Sequence, residues 1–164
     1  MNLCYNSAMK FIADSNVGRL ARWLRIAGFD TMFINDLDDN RLVRIALSEG
    51  RVLLTKDTQI LKRRVATTGR LKVLLIEGEE VKGQLLQVVK TFNLANEVKP
   101  FMLCLECNKP LVSKKKEDVE GQVPPYVFRT QTQYMQCPEC QRVYWRGTHW
   151  ELMSRELERI VESA

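Results

Sequence analysis

The chain has 164 residues, 45% of them apolar and 27% charged, the proportions of a globular protein with one domain or one domain plus a small appendage. No stretch approaches the roughly 20 apolar residues of a membrane span, which excludes a helical membrane protein from the sequence-based expectations. A net charge of +5 and an isoelectric point near 9.0 permit an anionic partner such as nucleic acid without requiring one.

The first residues, MNLCYNSAMKF, are too short and too polar for a secretory signal, so a cytoplasmic protein is expected. Met9 is a candidate start, and residues 1 to 8, with the isolated Cys4, are set aside from the fold. Residues 10 to 14, KFIAD, predict a strand ending in Asp14. A helix follows from about Gly18, where Leu20, Trp23, Leu24 and Ala27 recur at helical spacing, and Gly28 stops it. Residues 31 to 34, TMFI, predict a second strand. Asp36, Asp38, Asp39 and Asn40 then offer caps for a second helix whose inner face carries Leu42, Ile45 and Ala46.

The stretch GRVLLTKD, residues 50 to 57, reads as a third strand over Val52 to Leu54 that halts at Thr55, Lys56 and Asp57. Asp57 opens a short helix bearing Ile60 and Leu61. Residues 71 to 76, LKVLLI, predict a fourth strand, and Val81 to Phe92 a further helix. Strand and helix alternate four times with short connections, which argues for an α/β fold with a parallel sheet flanked by helices on both faces. Near Pro100 the composition changes. Residues 113 to 123, SKKKEDVEGQV, read as a charged loop before Pro124 and Pro125. A last helix is expected from Thr148, with Thr148 and Glu151 at capping-box spacing and Trp150, Met153, Leu157 and Ile160 on one face. The expected division is therefore 9–100, 101–148 and a C-terminal helix over 149–164.

Two constellations carry chemistry. Cys104-x-x-Cys107 and Cys137-x-x-Cys140 offer four thiolates from two tight turns, the donor set of a structural zinc site. The interval between the pairs, 108 to 136, exceeds the common spacing, and the charged loop accounts for the excess. Without a secretory signal these cysteines read as metal ligands rather than disulfides. The second constellation is acidic: Asp14 ends the first strand, Asp39 begins the helix after the second, and Asp57 follows the third. In open α/β sheets ligands bind beyond the carboxyl ends of the strands. Three carboxylates gathered there require a cation or a shared proton, and a hard ion such as Mg²⁺ or Mn²⁺ suits oxygen ligands. Each of these acids also precedes a helix, so spacing alone leaves helix capping and metal binding both open.

The runs FIADSNVGRLARWLRIAGFDT, INDLDDNRLVRIA and EGRVLLTKDTQIL, followed by CLECN and CPECQRVYWRGTHWELM, resemble the Mut-seven C-terminal RNase domain family, a branch of the PIN-like nucleases with an appended zinc ribbon. The resemblance covers residues 10 to about 155. It implies a PIN-like sheet with a C-terminal zinc ribbon and a metal-dependent ribonuclease, a hydrolase of RNA phosphodiesters acting through a Mg or Mn ion. By position it implies Asp14, Asp39 and Asp57 as the catalytic acids and metal ligands, with the Thr55 hydroxyl beside them. Many PIN nucleases carry a fourth acid two residues after the third. Here Gln59 occupies that position, and Glu77 is the substitute at hand.

Basic and aromatic residues supply candidate RNA contacts. Arg19 and Arg22, with Arg25 on the same helix, lie beside Asp14 and are placed to hold substrate phosphates; a solvated face is the alternative. Trp23 is assigned to the core. Tyr144, Trp145, Arg146, His149 and Trp150 mix rings with charge, a pattern suited to single-stranded RNA, or to packing the ribbon on the nuclease part. His149, the one histidine, is assigned a structural role, and the lack of a histidine in the nuclease part argues against a histidine-based RNase. Lys114, Lys115 and Lys116 read as a solvated loop tip. The expected partners are RNA and, through the ribbon, a ribosome or another protein. The competing function is a non-catalytic RNA- or ribosome-binding zinc-ribbon protein; a toxin-like nuclease with a protein inhibitor is a third.

Overall fold

The computed structural model describes residues 9 to 164. Cys4 and the separation of residues 1 to 8 lie outside the described residues. Strand β1 (Phe11–Ala13) leads through a 3-10 turn at Ser15–Val17 into helix α1 (Gly18–Ile26). Strand β2 (Thr31–Phe33), helix α2 (Asp39–Glu49), strand β3 (Val52–Thr55), the short helices α3 (Thr58–Leu61) and α4 (Arg64–Thr67), strand β4 (Val73–Leu75) and helix α5 (Val81–Thr91) follow. All four strands are parallel, in the order β2-β1-β3-β4. The chain leaves β1 toward one edge and returns to β3 on the other side. The switch point of the sheet thus lies between β1 and β3, where Asp14 and Thr55 end their strands.

Side-chain alternation divides the strands between two cores. Phe11, Ala13, Val52 and Leu54 pack on one face against Leu20 and Leu24 of α1 and Leu85 and Val88 of α5. Ile12 and Leu53 face the other way, toward Leu42, Ala46, Ile60 and Leu71. Both faces of the sheet are covered, which is why the strands read as unbroken apolar runs. The expected parallel sheet flanked by helices is present, and Leu20, Leu24 and Ala27 fill the inner face of α1 with Trp23 packed partly buried beside them.

The C-terminal part is a three-stranded antiparallel ribbon. Its strands are β5 (Val112–Lys114), β6 (Tyr134–Gln136) and β7 (Val143–Trp145), with helix α6 (Pro125–Thr130) between β5 and β6. Helix α7 (Thr148–Glu162) then crosses back onto the first core, where Leu157 and Ile160 are buried beside Leu105 of the ribbon. The chain enters the ribbon along the end of α1: Lys99 N donates to Ala27 O at 2.9 Å and Phe101 N to Ile26 O at 3.0 Å. These bonds satisfy carbonyls that a helix end leaves open. Gly28 makes the approach possible. Its φ is +90°, and a Cβ there would run into the Lys99 carbonyl.

Two local expectations are corrected, and one helix had no counterpart in the sequence reading. The 113–123 segment is not a plain solvated loop: it contains the end of β5 and a 3-10 turn at Lys116–Val119, and Val119 and Val123 are buried against Tyr134. Helix α6 was hidden by its polar surroundings, although Pro125 at the first helical position is a favourable start. Thr148 is not a capping-box residue. The N-cap of α7 is Gly147, and no side chain caps it.

Candidate functional site

The carboxyl end of the sheet is built around Asp14. Its carboxylate accepts from Ser15 N at 2.6 Å, Ser15 Oγ at 3.2 Å, Asn16 Nδ2 at 2.9 Å and Thr55 Oγ1 at 2.6 Å. The residue is only 6% exposed, and no cation pairs with it among the described residues. Thr55, fully buried, gives its single hydroxyl proton to Asp14 Oδ2 and accepts from Asp57 N at 2.9 Å. This answers why an apolar strand ends in threonine and an acid two residues later. The hydroxyl ties the turn that carries Asp57 to the carboxylate at the end of the neighbouring strand. Asn16 adds a second tie, since its Oδ1 accepts from Lys56 N at 3.2 Å.

The other two acids are placed differently. Asp57 caps α3, with Oδ1 accepting from Gln59 N at 2.8 Å. Asp38, not Asp39, caps α2, accepting from Asn40 N and Arg41 N at 3.1 Å each. Asp39 instead meets Arg63 at 3.4 Å, and Arg63 also donates to Asn40 Oδ1 at 2.8 Å. The structure therefore links Asp14 and Asp57 through Thr55, while Asp39 is engaged by a cation from the start of α4. Among the described residues the three carboxylates are not gathered to the mutual spacing that the cysteine sulfurs reach. Gln59 and Glu77 are both exposed at this edge.

The arginines of α1 divide in function. Arg19 is exposed beside the acid edge. Arg22 pairs with Glu106 of the ribbon at 2.8 Å, and Arg142 meets the same oxygen at 3.1 Å. The Arg22 hydrogen bond, with the Arg142 charge behind it, holds the Glu106 carboxyl below its ordinary range. Arg25 is buried and reaches inward, donating to Thr31 O at 2.9 Å, Leu105 O at 2.7 Å and Glu106 O at 3.0 Å. Burial lowers its pKa, and the acids and sulfurs nearby only partly offset that. Asn108 extends this seam. Its side chain accepts from Thr31 N at 3.0 Å and donates to Asp30 Oδ1 at 2.7 Å, the oxygen that Arg51 also holds at 2.7 Å.

Cys104, Cys107, Cys137 and Cys140 converge, with all four sulfurs within 4.8 Å of one another. Each pair lies on a similar turn. Asn108 N donates to Cys104 O and Gln141 N to Cys137 O, and Asn108 and Gln141 occupy matching positions at φ 57° and 61°. Cys104 and Cys140 sulfurs are 3.7 Å apart, close to the separation of about 3.8 Å that a tetrahedral ion with metal–sulfur bonds near 2.3 Å demands. The donor set and spacing therefore fit zinc. Burial pushes the Cys104 thiol up, but the Tyr144 hydroxyl and the N–H groups of Cys107 and Glu106 outweigh it and bring it to about 7. Burial and the neighbouring sulfurs drive Cys107 the other way, up to about 12. Several thiolates at this spacing need a cation between them. Tyr144 thus serves the cysteine site: its hydroxyl lies 3.2 Å from Cys104 Sγ and accepts from Leu105 N at 3.2 Å.

Sequence reasoning missed Asn16, Lys56 and Glu106 as parts of these sites. The DSN run after β1 was the available signal for Asn16, because a short amide directly after a strand-end acid turns back on it. Lys56 (paired with Glu79 at 2.8 Å) and Glu106 meet partners far along the chain, which no local pattern displays.

A parallel sheet with an acid at its switch point, joined to a four-cysteine ribbon, defines an α/β protein with a metal-binding appendage. The Mut7-C RNAse domain model matches residues 9–157, and the chain belongs to that family. The membership supports a nuclease or RNA-related role and RNA as the substrate class. No curated protein and no solved structure matched the chain. Among the described residues no helix is long and apolar enough to cross a membrane.

Proposed function

We propose that the protein is a ribonuclease that hydrolyses RNA phosphodiesters with a Mg²⁺ or Mn²⁺ ion bound at the carboxyl edge of the sheet. The observation that carries this reading is Asp14, a carboxylate 6% exposed, bonded among the described residues only to neutral donors and lying at the switch point. A buried charge without a counter-charge is costly to maintain, and functional sites are where such costs recur. Asp14 and Asp57 would hold the ion, with Asp39 joining from α2 once Arg63 releases it. A bound ion of this kind lowers the pKa of its water and offsets charge on the scissile phosphate. The chain's part is orientation. Thr55 and Asn16 fix the Asp14 oxygens, and Arg19 and Arg22 draw the RNA backbone toward an edge that would otherwise repel it. Arg146 is a further phosphate contact. The ribbon, with zinc in its four cysteines, positions RNA.

A second reading is favoured by a specific set of contacts. Asp57 caps α3, Asp39 pairs with Arg63, and Asp14 caps the turn after β1, so every acid has a structural task. A non-catalytic RNA- or ribosome-binding module would need no more. The deciding experiment incubates a panel of labelled RNAs with the protein in Mn²⁺ and in EDTA, beside Asp14→Asn. Cleavage that needs Mn²⁺ and disappears in Asp14→Asn, with RNA binding retained, supports the enzyme. Binding without cleavage for the whole panel supports the module.

A further inference from the structure

Three adjoining cavities run from the ribbon to the acid edge. The first, about 320 Å³, opens between residues 100–102, the ribbon strands and the start of α7. Its walls include Phe101, Trp145 and Trp150, with Lys114 and Arg146 as its charged groups and no acid. The second, about 250 Å³, shares Phe101, Trp145 and Trp150 with the first and adds His149 and Arg22, again without an acid. The third, about 480 Å³, shares Arg22 and reaches Arg19, Lys56, Ser15 and Asn16. Ser15 and Asn16 are the residues bonded to Asp14. Shared lining residues place the three cavities side by side; Arg19, Arg146 and Lys114 are the cations along them without a salt-bridge partner among the described residues, while Arg22 pairs with Glu106 and Lys56 with Glu79, which also lines the third cavity.

One wall of the first cavity is aromatic, and its rings already pack on each other. Phe101 and Trp150 lie with centroids 5.0 Å apart and planes tilted by 34°, and the Arg146 guanidinium stands 5.0 Å over the Trp150 ring. Its volume sits at the lower end of small-ligand pockets, which run from about 300 to 1,000 Å³. Ser113, Thr132 and Gln133 line it with groups that both donate and accept, as the edge of a base requires. Aromatic walls with cations at the rim match the two faces of a nucleotide, a stacking ring and a phosphate.

We infer that this cavity binds one unpaired nucleobase of an RNA strand whose backbone then passes Arg22 to Asp14. A paired base is unavailable for insertion, so the pocket selects single-stranded RNA. It also fixes the distance between the gripped base and the acid edge, so cleavage falls at a set position from that base. The cleavage part rests on the ribonuclease reading; the base pocket does not.

The test measures affinity by anisotropy, using the full chain carrying Asp14→Asn so that RNA stays intact. The probes are a labelled single-stranded RNA, the same sequence as a duplex, and an abasic oligonucleotide of equal length. The single strand should bind most tightly and quench tryptophan fluorescence. Trp150→Ala should weaken it by roughly 5- to 150-fold, the range for losing one stacked base. Trp150→Phe, which keeps a ring, should weaken it less. Arg146 is exposed, and Arg146→Ala, which removes a phosphate contact, should weaken the single strand and the abasic chain alike. Equal affinities for single-stranded and abasic probes, no effect of Arg146→Ala, or displacement of RNA by poly-glutamate at equal charge would each overturn the inference. Mapping cuts by the wild-type chain in Mn²⁺ separates the two claims. No cleavage together with base-dependent binding sinks the catalytic reading and leaves the pocket. Cleavage without base-dependent binding does the reverse.

Discussion

Replacing Thr55 with valine keeps the shape of β3 and removes one oxygen. Thr55 is fully buried, and its hydroxyl bridges Asp14 Oδ2 at 2.6 Å and Asp57 N at 2.9 Å. A hydrogen bond to a charged group contributes about 1.5 to 3 kcal/mol net and a neutral one about 0.5 to 1.5. The methyl that takes the oxygen's place returns part of this, at about 0.8 kcal/mol for a buried carbon. The expected loss is therefore about 1 to 4 kcal/mol. In a chain of this length each kcal/mol moves Tm by about 2 to 4 °C, so Tm should fall by roughly 2 to 16 °C. Thr55→Ser keeps both bonds and loses only a methyl, so it should stay nearer the wild type. Urea and thermal denaturation followed by circular dichroism measure both variants. A Thr55→Val protein as stable as wild type, with Thr55→Ser the weaker of the two, would refute the bridge.

Cys137→Ser should cost the chain its zinc, one ion per molecule by metal analysis, and with it a binding term of roughly 10 to 16 kcal/mol that folds the ribbon. Because Asn108 holds Thr31 N and Arg25 holds Thr31 O, amide exchange at Thr31 should rise in this variant while Ile12 and Leu53 in the central strands stay protected; unchanged exchange at Thr31 would sever the seam. Glu106 should shape the acid limb of stability. Its folded pKa is depressed by Arg22 and Arg142, so its contribution is present above the unfolded value of about 4.3 and is lost as pH falls through the folded value. Glu106→Gln should accordingly flatten the pH dependence of Tm below about pH 4.3 and leave it unchanged near neutrality.

What the sequence displayed was whatever is local. Apolar runs such as FIA and VLL marked buried parallel strands because both their faces are covered, and the C-x-x-C spacing marked the cysteine turns because each turn is closed by its own backbone. Asp14, Thr55 and Asp57 were legible as strand-end residues, since the topology fixes which end of a parallel strand faces the crevice. Contacts between distant segments were not legible. Arg22 looked like a phosphate ligand beside Asp14, but Glu106 also reaches it from the ribbon. Tyr144 looked like part of an aromatic strip, and its hydroxyl proved to serve Cys104. Asp36, Asp38, Asp39 and Asn40 all looked like caps for α2; Asp38 takes that task, and Arg63, far along the chain, engages Asp39. The capping-box spacing at Thr148 failed because the chain enters α7 one residue earlier, through Gly147.

The proposed ribonuclease requires that the acids at the carboxyl edge of the sheet hold a divalent ion. A crystal of the protein soaked in Mn²⁺ and measured for anomalous scattering tests it most directly. A peak bonded to oxygens of Asp14 and Asp57 is expected, with Asp39 turned from Arg63 toward it, and it should disappear in Asp57→Asn. A protein saturated with Mn²⁺ that gives no peak at this edge, with Asp57 still capping α3 and Asp39 still on Arg63, would contradict it.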